Sequence, residues 1–211
     1  MDEPVAPSRF HPFGWHLIRD DAATTQFATG SFDRGVELVA AIGEVTATAS
    51  REPDIDLRRE GVTVRLVLHG ASPTEEDLAH AERISAAAKE LGVPIDLEGL
   101  QTVQITIDAL AIPEVLPFWQ AVLGYRKVGD DGLLDRRLVG PPIWFQQMDA
   151  ARPQRNRIHV DVYVSKDETQ GRIEAALAAG GRVVYDRSPY WWTLADPEGN
   201  EADIAPWPDL D

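Results

Sequence analysis

Residues 103–128 are VQITIDALAIPEVLPFWQAVLGYRKV, and residues 158–183 are IHVDVYVSKDETQGRIEAALAAGGRV. The two stretches align without a gap. Each begins with alternating apolar and polar residues, which predicts a strand with one buried face, and continues with apolar residues at helical spacing. Three short strand-like segments follow each helix, in the first copy at 125–128, 133–139 and 143–148. The repeat therefore predicts two βαβββ units.

The first hundred residues follow a separate pattern. Helical spacing of apolar residues begins behind Ser31, and Val62 to Leu68 alternates as a strand. Thr74 and Asp77 form a capping box at the start of a second helix.

The segment from Gly92 to Gly99 contains Pro94 and has little periodicity, so it is the best candidate for a linker. We therefore predict an α+β protein with two domains. A small α+β domain covers residues 10–96, and the paired βαβββ module covers residues 97–211.

The composition excludes several classes of function. Acidic residues outnumber basic ones 35 to 20, and a net charge of −15 repels nucleic acids and anionic membranes. The absence of cysteine removes disulfides, thiolate nucleophiles and cysteine metal ligands. The sequence has no basic, apolar start typical of a secretion signal and no apolar run long enough for a membrane span. We therefore expect a cytoplasmic protein with neither nucleic-acid nor membrane partners.

Polar residues share one face of the first strand in each copy. Pairing the two copies about a pseudo-twofold axis would bring these faces together around a hollow. The residues are Gln104, Thr106 and Asp108 in the first copy, and Arg157, His159, Asp161 and Tyr163 in the second.

Two of these polar positions could hold a metal together with a residue of the last strand-like segment. His159 offers an imidazole, Gln104 an amide oxygen, and Asp203 a carboxylate from the last strand-like segment, with Gln146 as a fourth candidate. Such a set suits iron(II), manganese, nickel or zinc with open coordination positions. The alternative is a cup without metal, in which His159 is hydrogen-bonded to Asp161 or Gln104 and Asp203 is an ordinary edge carboxylate.

Other residues on these strands could bind an organic molecule. Arg157 could meet an anionic group, although a salt bridge with Asp161 is an equal alternative. The aromatic residues near the strands could stack on a flat or apolar ligand, and core packing is the alternative for them. They are Trp144, Tyr190, Trp191 and Trp192.

The segments IPEVLPFWQAVLGYRKV (112–128), NRIHVDVYV (156–164) and LADPEGNEADI (194–204) follow one another in the chain. With VQITID they resemble the vicinal-oxygen-chelate superfamily over residues 101–207, most of all its glyoxalase-like subgroup. That superfamily contains glyoxalases, bleomycin-resistance proteins, fosfomycin-resistance enzymes and extradiol dioxygenases.

The resemblance implies a cup made by two βαβββ units, with metal ligands on the first and last strands of each unit. The matched positions in this chain are Gln104, His159 and Asp203, and the fourth falls near Gln146. Because such cups are often completed by dimerisation, the resemblance also implies a homodimer.

The segments GWHLIRD (14–20), SFDRGVELVAAIGEV (31–45), VTVRLVLHG (62–70) and PTEEDLAHAERI (73–84) resemble pterin-4a-carbinolamine dehydratases. That family uses a His-His-Pro motif as acid and base, and a later histidine at a strand end. The aligned motif here is Arg51-Glu52-Pro53, whereas His69 remains. Without the paired histidines we expect little or no dehydration, and a scaffold or pterin-shaped binding domain.

Three hypotheses for function follow. In the first, the C-terminal cup acts on a small organic molecule, with a metal at Gln104, His159 and Asp203 as Lewis acid. Such an enzyme would be a lyase, isomerase or dioxygenase. In the second, the cup binds or sequesters a ligand without metal. In the third, the N-terminal domain is a pterin dehydratase that depends on His69.

Overall fold

The computed structural model describes residues 5–18, 22–68, 72–98, 100, 103–151 and 159–206. The chain divides into two compact units, Met1–Thr102 and Val103–Asp211, and both are built from helices and sheets. The α+β class predicted from the sequence is confirmed.

The first unit is a four-stranded antiparallel sheet with two helices. The strand order is β1-β2-β4-β3, so β2 and β4 are central. After the short 3₁₀ helices Pro7–Arg9 and His11–Phe13, the elements are β1 (His16–Ile18), β2 (Ala22–Ala28), α1 (Phe32–Thr46), β3 (Asp54–Leu57), β4 (Gly61–Val67) and α2 (Glu75–Glu90).

Side-chain caps begin both helices of this unit. The Ser31 hydroxyl accepts a hydrogen bond from the Arg34 N–H at the start of α1. The capping box that the sequence predicts for α2 is confirmed, because Thr74 and Asp77 each bond the other's backbone N–H.

The second unit contains the predicted repeat. The first copy consists of β5 (Ile105–Ala109), α3 (Ile112–Leu123), β6 (Arg126–Val128), β7 (Gly132–Leu134) and β8 (Ile143–Gln147). The second consists of β9 (Val160–Val164), α4 (Lys166–Ala178), β10 (Arg182–Arg187), β11 (Trp191–Ala195) and β12 (Glu201–Pro206). The two βαβββ units expected from the sequence are therefore present.

Each copy folds into its own four-stranded sheet. The orders are β5-β8-β7-β6 and β10-β11-β12-β9, and in each sheet the first and last strands of the copy pair in parallel. The edge strand β10 is exposed along its whole length, and a bulge between Val183 and Tyr185 interrupts its pairing with β11.

One face of each sheet is covered by helices, and the opposite face is more open. Helix α3 packs against α4, and the two copies share one core. Its largest members include Phe118 and Trp119 of α3 and Phe145 of β8. The alternating strand residues therefore place His159, Asp161 and Tyr163 on the open face of the second sheet.

The turn between β11 and β12 joins the two copies. Asp196 is fully buried and accepts hydrogen bonds from Trp119 Nε1 and from both nitrogens of Asn200. Glu198 accepts from the backbone N–H groups of Leu110 and Ala111 and so caps α3, which has no capping side chain of its own.

The middle strand predicted at 133–139 is shorter than expected. It ends at Leu134, because the Asp135 carboxylate accepts from the N–H groups of Arg137, Val139 and Gly140 and folds this segment into a turn. Leu138 takes a left-handed conformation in that turn, with φ 54°.

No helix among the described residues is both long and apolar enough to cross a membrane.

Candidate functional site: an acidic cluster with a histidine

Three polar side chains meet on the open face of the second sheet. His159 Nε2 lies 3.1 Å from Asp161 Oδ1 and 3.7 Å from Asp203 Oδ2, so the imidazole bridges two carboxylates. One ligand atom from each residue lies within 4.8 Å of the other two. We call His159, Asp161 and Asp203 the acidic cluster.

The strand pairing explains why these residues meet. His159 comes directly before β9, and Asp161 follows two residues later on the same face. The parallel register pairs Asp161 with Asp203 of β12, so the two carboxylates lie side by side on neighbouring strands.

The electrostatics of the acidic cluster favour a cation. Like charges on adjacent strands repel each other, and a positive charge between them removes that cost. The Asp203 side chain is 21% exposed, and its Oδ1 is buried without a hydrogen-bond partner. A buried carboxylate oxygen without a donor is costly unless something else satisfies it.

Gln104 forms its side-chain hydrogen bond outside the acidic cluster. It precedes β5 as His159 precedes β9, but its amide nitrogen lies 3.4 Å from Thr106 Oγ1. The hydrogen bonds of the described residues include none from Gln104 to His159 or Asp203, and the two sheets are separate. The structure thus brings the histidine and the aspartate of the predicted set together, while the side-chain hydrogen bond of Gln104 is to Thr106.

Trp144, rather than Gln146, is the register equivalent of Asp203 in the first sheet. Trp144 pairs with Thr106, the repeat counterpart of Asp161, whereas Gln146 pairs with Asp108 two residues further along. The Trp144 indole donates to Asp131 Oδ2, and an indole N–H cannot ligate a metal. The first sheet therefore lacks a ligand at the position that Asp203 occupies in the second.

The predicted aromatic residues divide between the two faces. Trp144 and Trp191 lie on the open faces of their sheets, whereas Trp192 packs against the shared core on the other side. Tyr190 is exposed in the turn before β11. Arg157 lies outside the described residues.

In the first unit, the segment Arg51-Glu52-Pro53 stands where the dehydratase family has its His-His-Pro motif. The beginning of this segment and the residue before it contact the start of α2. Arg51 forms an ion pair with the buried Asp77 carboxylate at 3.0 Å. Ser50 donates to Glu76 through its hydroxyl and its backbone N–H, and these bonds lower the pKa of Glu76. A guanidinium stays protonated and cannot take over the role of an acid and base near neutral pH.

Two histidines, His69 and His80, follow that segment in the first unit. His69 lies outside the described residues. His80 of α2, which the sequence analysis missed, is 1% exposed, and its Nδ1 has no hydrogen-bond partner. His80 lies at helical spacing from Asp77, Ala81 and Ile84, and this pattern in the sequence indicates that it belongs to the buried side of α2.

Comparison with known families agrees with this architecture. Residues 104–205 match the pattern of the glyoxalase-like domain family. These residues are a glyoxalase-like domain. Residues 3–87 match the pterin 4 alpha carbinolamine dehydratase family. No curated protein matches the chain.

Solved structures with a similar fold align with about half of the chain. A glyoxalase-related enzyme from Fulvimarina pelagi is 18% identical, with 51% of this chain and 88% of that chain covered and a TM-score of 0.42. The fosfomycin resistance protein FosX from Mesorhizobium loti is 10% identical, with 50% and 90% covered and a TM-score of 0.42. FosX from Listeria monocytogenes, complexed with Mn(II) and sulfate ion, is 13% identical, with 52% and 91% covered and a TM-score of 0.42.

Proposed function

We propose that the glyoxalase-like domain binds a divalent cation at the acidic cluster and acts on a small organic molecule there. The supporting observation is the convergence of His159, Asp161 and Asp203 together with the unpartnered Oδ1 of Asp203. When bound, the cation supplies Lewis-acid polarisation of vicinal oxygens on the substrate.

The residues of the acidic cluster fit a small divalent ion. One imidazole nitrogen and two carboxylates are ligands that manganese, iron(II), nickel and zinc accept, and three ligands leave coordination positions for a substrate. The half-exposed side chains of His159 and Asp161 keep those positions accessible.

Titration calorimetry of chelator-treated protein with Mn²⁺, Ni²⁺ and Zn²⁺ tests the cation site. We expect one ion per chain, and a loss of affinity of at least about tenfold in His159→Ala and in Asp203→Asn, because each change removes a ligand.

The matched control is Asp54→Asn, which removes one exposed carboxylate from β3 in the other unit. It should bind metal like the wild type. Absence of stoichiometric binding, or equal affinity in all four proteins, contradicts the proposal.

A metal-free binding protein is the second candidate. Trp144 at the register position of Asp203 favours it, because the first sheet then contributes an aromatic surface instead of a ligand. A ligand that binds with the same affinity in the presence and absence of a chelator supports this alternative.

The proposal includes a homodimer. Gln104 precedes the first strand of the first sheet and is hydrogen-bonded to Thr106 rather than to the acidic cluster of its own chain, so a second protomer could bring its Gln104 to that cluster. Sedimentation velocity at micromolar concentration should show a dimer, and a monomer throughout contradicts this part of the proposal.

A carbinolamine dehydratase activity of the first unit has less support. The ion pair between Arg51 and Asp77 replaces groups that would exchange protons near neutral pH. A turnover assay with a pterin carbinolamine, with His69→Ala as the variant, tests the remaining histidine.

A further inference from the structure

The first unit contains a groove beside the C-terminal half of α2. Its walls come from the exposed side of α2, from the 3₁₀ helix His11–Phe13 and from the segment that follows α2. The cavity has a volume of about 560 Å³, which is within the range of small-molecule sites. We call this cavity the α2 groove, and its lining includes Phe13, Glu82, Ala86, Lys89, Val93 and Ile95.

Hydrogen bonds hold the walls of the α2 groove in place. The Ser85 hydroxyl of α2 donates to the Phe13 carbonyl at 2.8 Å and accepts from Trp15 Nε1 at 2.9 Å. In the segment after α2, the residues on either side of Ile95 are hydrogen-bonded to β2. The walls are therefore fixed before a ligand binds, which lowers the entropic cost of binding.

The α2 groove is lined by one charged side chain of each sign. Glu82 is the first and Lys89 the last residue of α2 that lines it, and both are exposed. Seven helical residues place them on the same side of α2, about 10.5 Å apart along its axis. Neither forms an ion pair or a hydrogen bond within the described residues. The groove thus suits a ligand with an apolar body and opposite charges at its two ends.

Ile95 also provides unpaired backbone groups at the α2 groove. It faces Phe27 of β2 in an antiparallel bridge, and the hydrogen bonds of this bridge come from its neighbours Pro94 and Asp96. The N–H and C=O of Ile95 therefore point away from β2, and they have no hydrogen-bond partner among the described residues. Extended peptides pair with such groups at the edges of sheets.

We infer that the α2 groove binds an apolar peptide of about three residues with free termini. An extended tripeptide spans about 10 Å, which matches the separation of Glu82 and Lys89 along the helix. The ammonium group of the peptide pairs with Glu82 and its carboxylate with Lys89, while its side chains contact Phe13 and Ile95. This site lies in the first unit and goes beyond the function proposed for the second.

Titration calorimetry of the full chain with trileucine tests the site. A chelator in every titration keeps the acidic cluster free of cations. We expect one peptide per chain, and at least about tenfold weaker binding of trileucine that is acetylated and amidated, because both charges are then lost. Decanoate has an apolar body with a carboxylate only, so it should also bind more weakly than trileucine.

Variants of the α2 groove locate the peptide. Glu82→Gln and Lys89→Met each remove one charge, so each should weaken binding of trileucine at least about fivefold and leave the blocked peptide unaffected. Ala86→Trp fills the groove from an exposed position and should abolish binding. The matched controls are Glu90→Gln, at an exposed acid of α2 outside the groove, and Ala175→Trp, at an exposed alanine of α4. Both should bind trileucine like the wild type.

Several results would overturn the peptide site. They are absence of binding at millimolar trileucine, equal affinity for the free and blocked peptides, and unchanged binding in Ala86→Trp. Decanoate that binds as tightly as trileucine, with no loss in Lys89→Met or Glu82→Gln, also overturns it. The cation site of the second unit is tested separately, because the chelator removes the metal from these titrations.

Discussion

At the scale of single residues, the burial of His80 should make the stability of the fold depend on pH. Burial of the imidazole in α2 lowers its pKa, the nearby Arg83 lowers it further, and Glu76 and Asp77 partly oppose both. The unfolded chain has a histidine pKa of about 6.5, so acid protonates the unfolded state first. Stability should therefore fall as the pH drops below that value.

We expect His80→Leu to remove part of this pH dependence. The difference in unfolding free energy between wild type and variant should change between pH 7 and pH 5, by at most about 1.4 kcal/mol per pH unit. Urea denaturation at several pH values measures it. His11→Gln, at an exposed histidine, is the control. A constant difference across this range would contradict the assignment.

Only part of the acidic cluster could be predicted from the pattern of residues along the chain. Alternation alone put His159 and Asp161 on one face, because a strand has a fixed period of two. The pairing of Asp203 with Asp161, and of Trp144 with Thr106, depends on register between strands distant in the chain. Local sequence does not determine that register, so it cannot show that Trp144 is the register equivalent of Asp203.

At the scale of elements, the turn between β11 and β12 stabilises the second unit. Asp196→Ala leaves Trp119 Nε1 as a buried donor without its acceptor, and the part-buried backbone N–H groups of Glu198 and Asn200 lose theirs as well. We expect a loss of about 3 kcal/mol or more in unfolding free energy.

Urea denaturation monitored by tryptophan fluorescence measures this loss. Glu174→Ala, at an exposed carboxylate of α4, should change stability by less than about 0.5 kcal/mol. Trp119→Phe should cost less than Asp196→Ala, because Asp196 keeps its other donors. Equal stability of Asp196→Ala and the control would contradict the role of this turn.

Most elements of the repeat could be predicted because they have one apolar face that packs into the shared core. Strand β2 could not, since its sequence AATTQFA is almost entirely buried and includes Thr24 and Thr25. A central strand covered on both faces loses the alternation that identifies a half-buried one. The segment after Leu134 was also missed, because the turn there depends on hydrogen bonds to Asp135.

At the scale of the whole molecule, each unit contains a hydrophobic core of its own. Trp15, Phe10 and Phe27 are fully buried in the first unit, and Phe118 and Phe145 are buried in the second. A unit of about a hundred residues that contains its own hydrophobic core is large enough to fold independently.

We therefore expect residues 1–102 and 103–211 to fold when each is produced alone. Both should show cooperative thermal unfolding by circular dichroism, and the second piece should keep the affinity for metal of the full chain. A piece without a cooperative transition would contradict this prediction.

The bulge in β10 also affects how copies of this protein behave at high concentration. An edge strand with free backbone groups and exposed Val183, Val184 and Tyr185 is a template onto which a foreign strand could add. The extra residue breaks the row of backbone groups, so an incoming strand can pair with only half of it. We therefore expect the bulge to hinder the addition of a foreign strand at this edge.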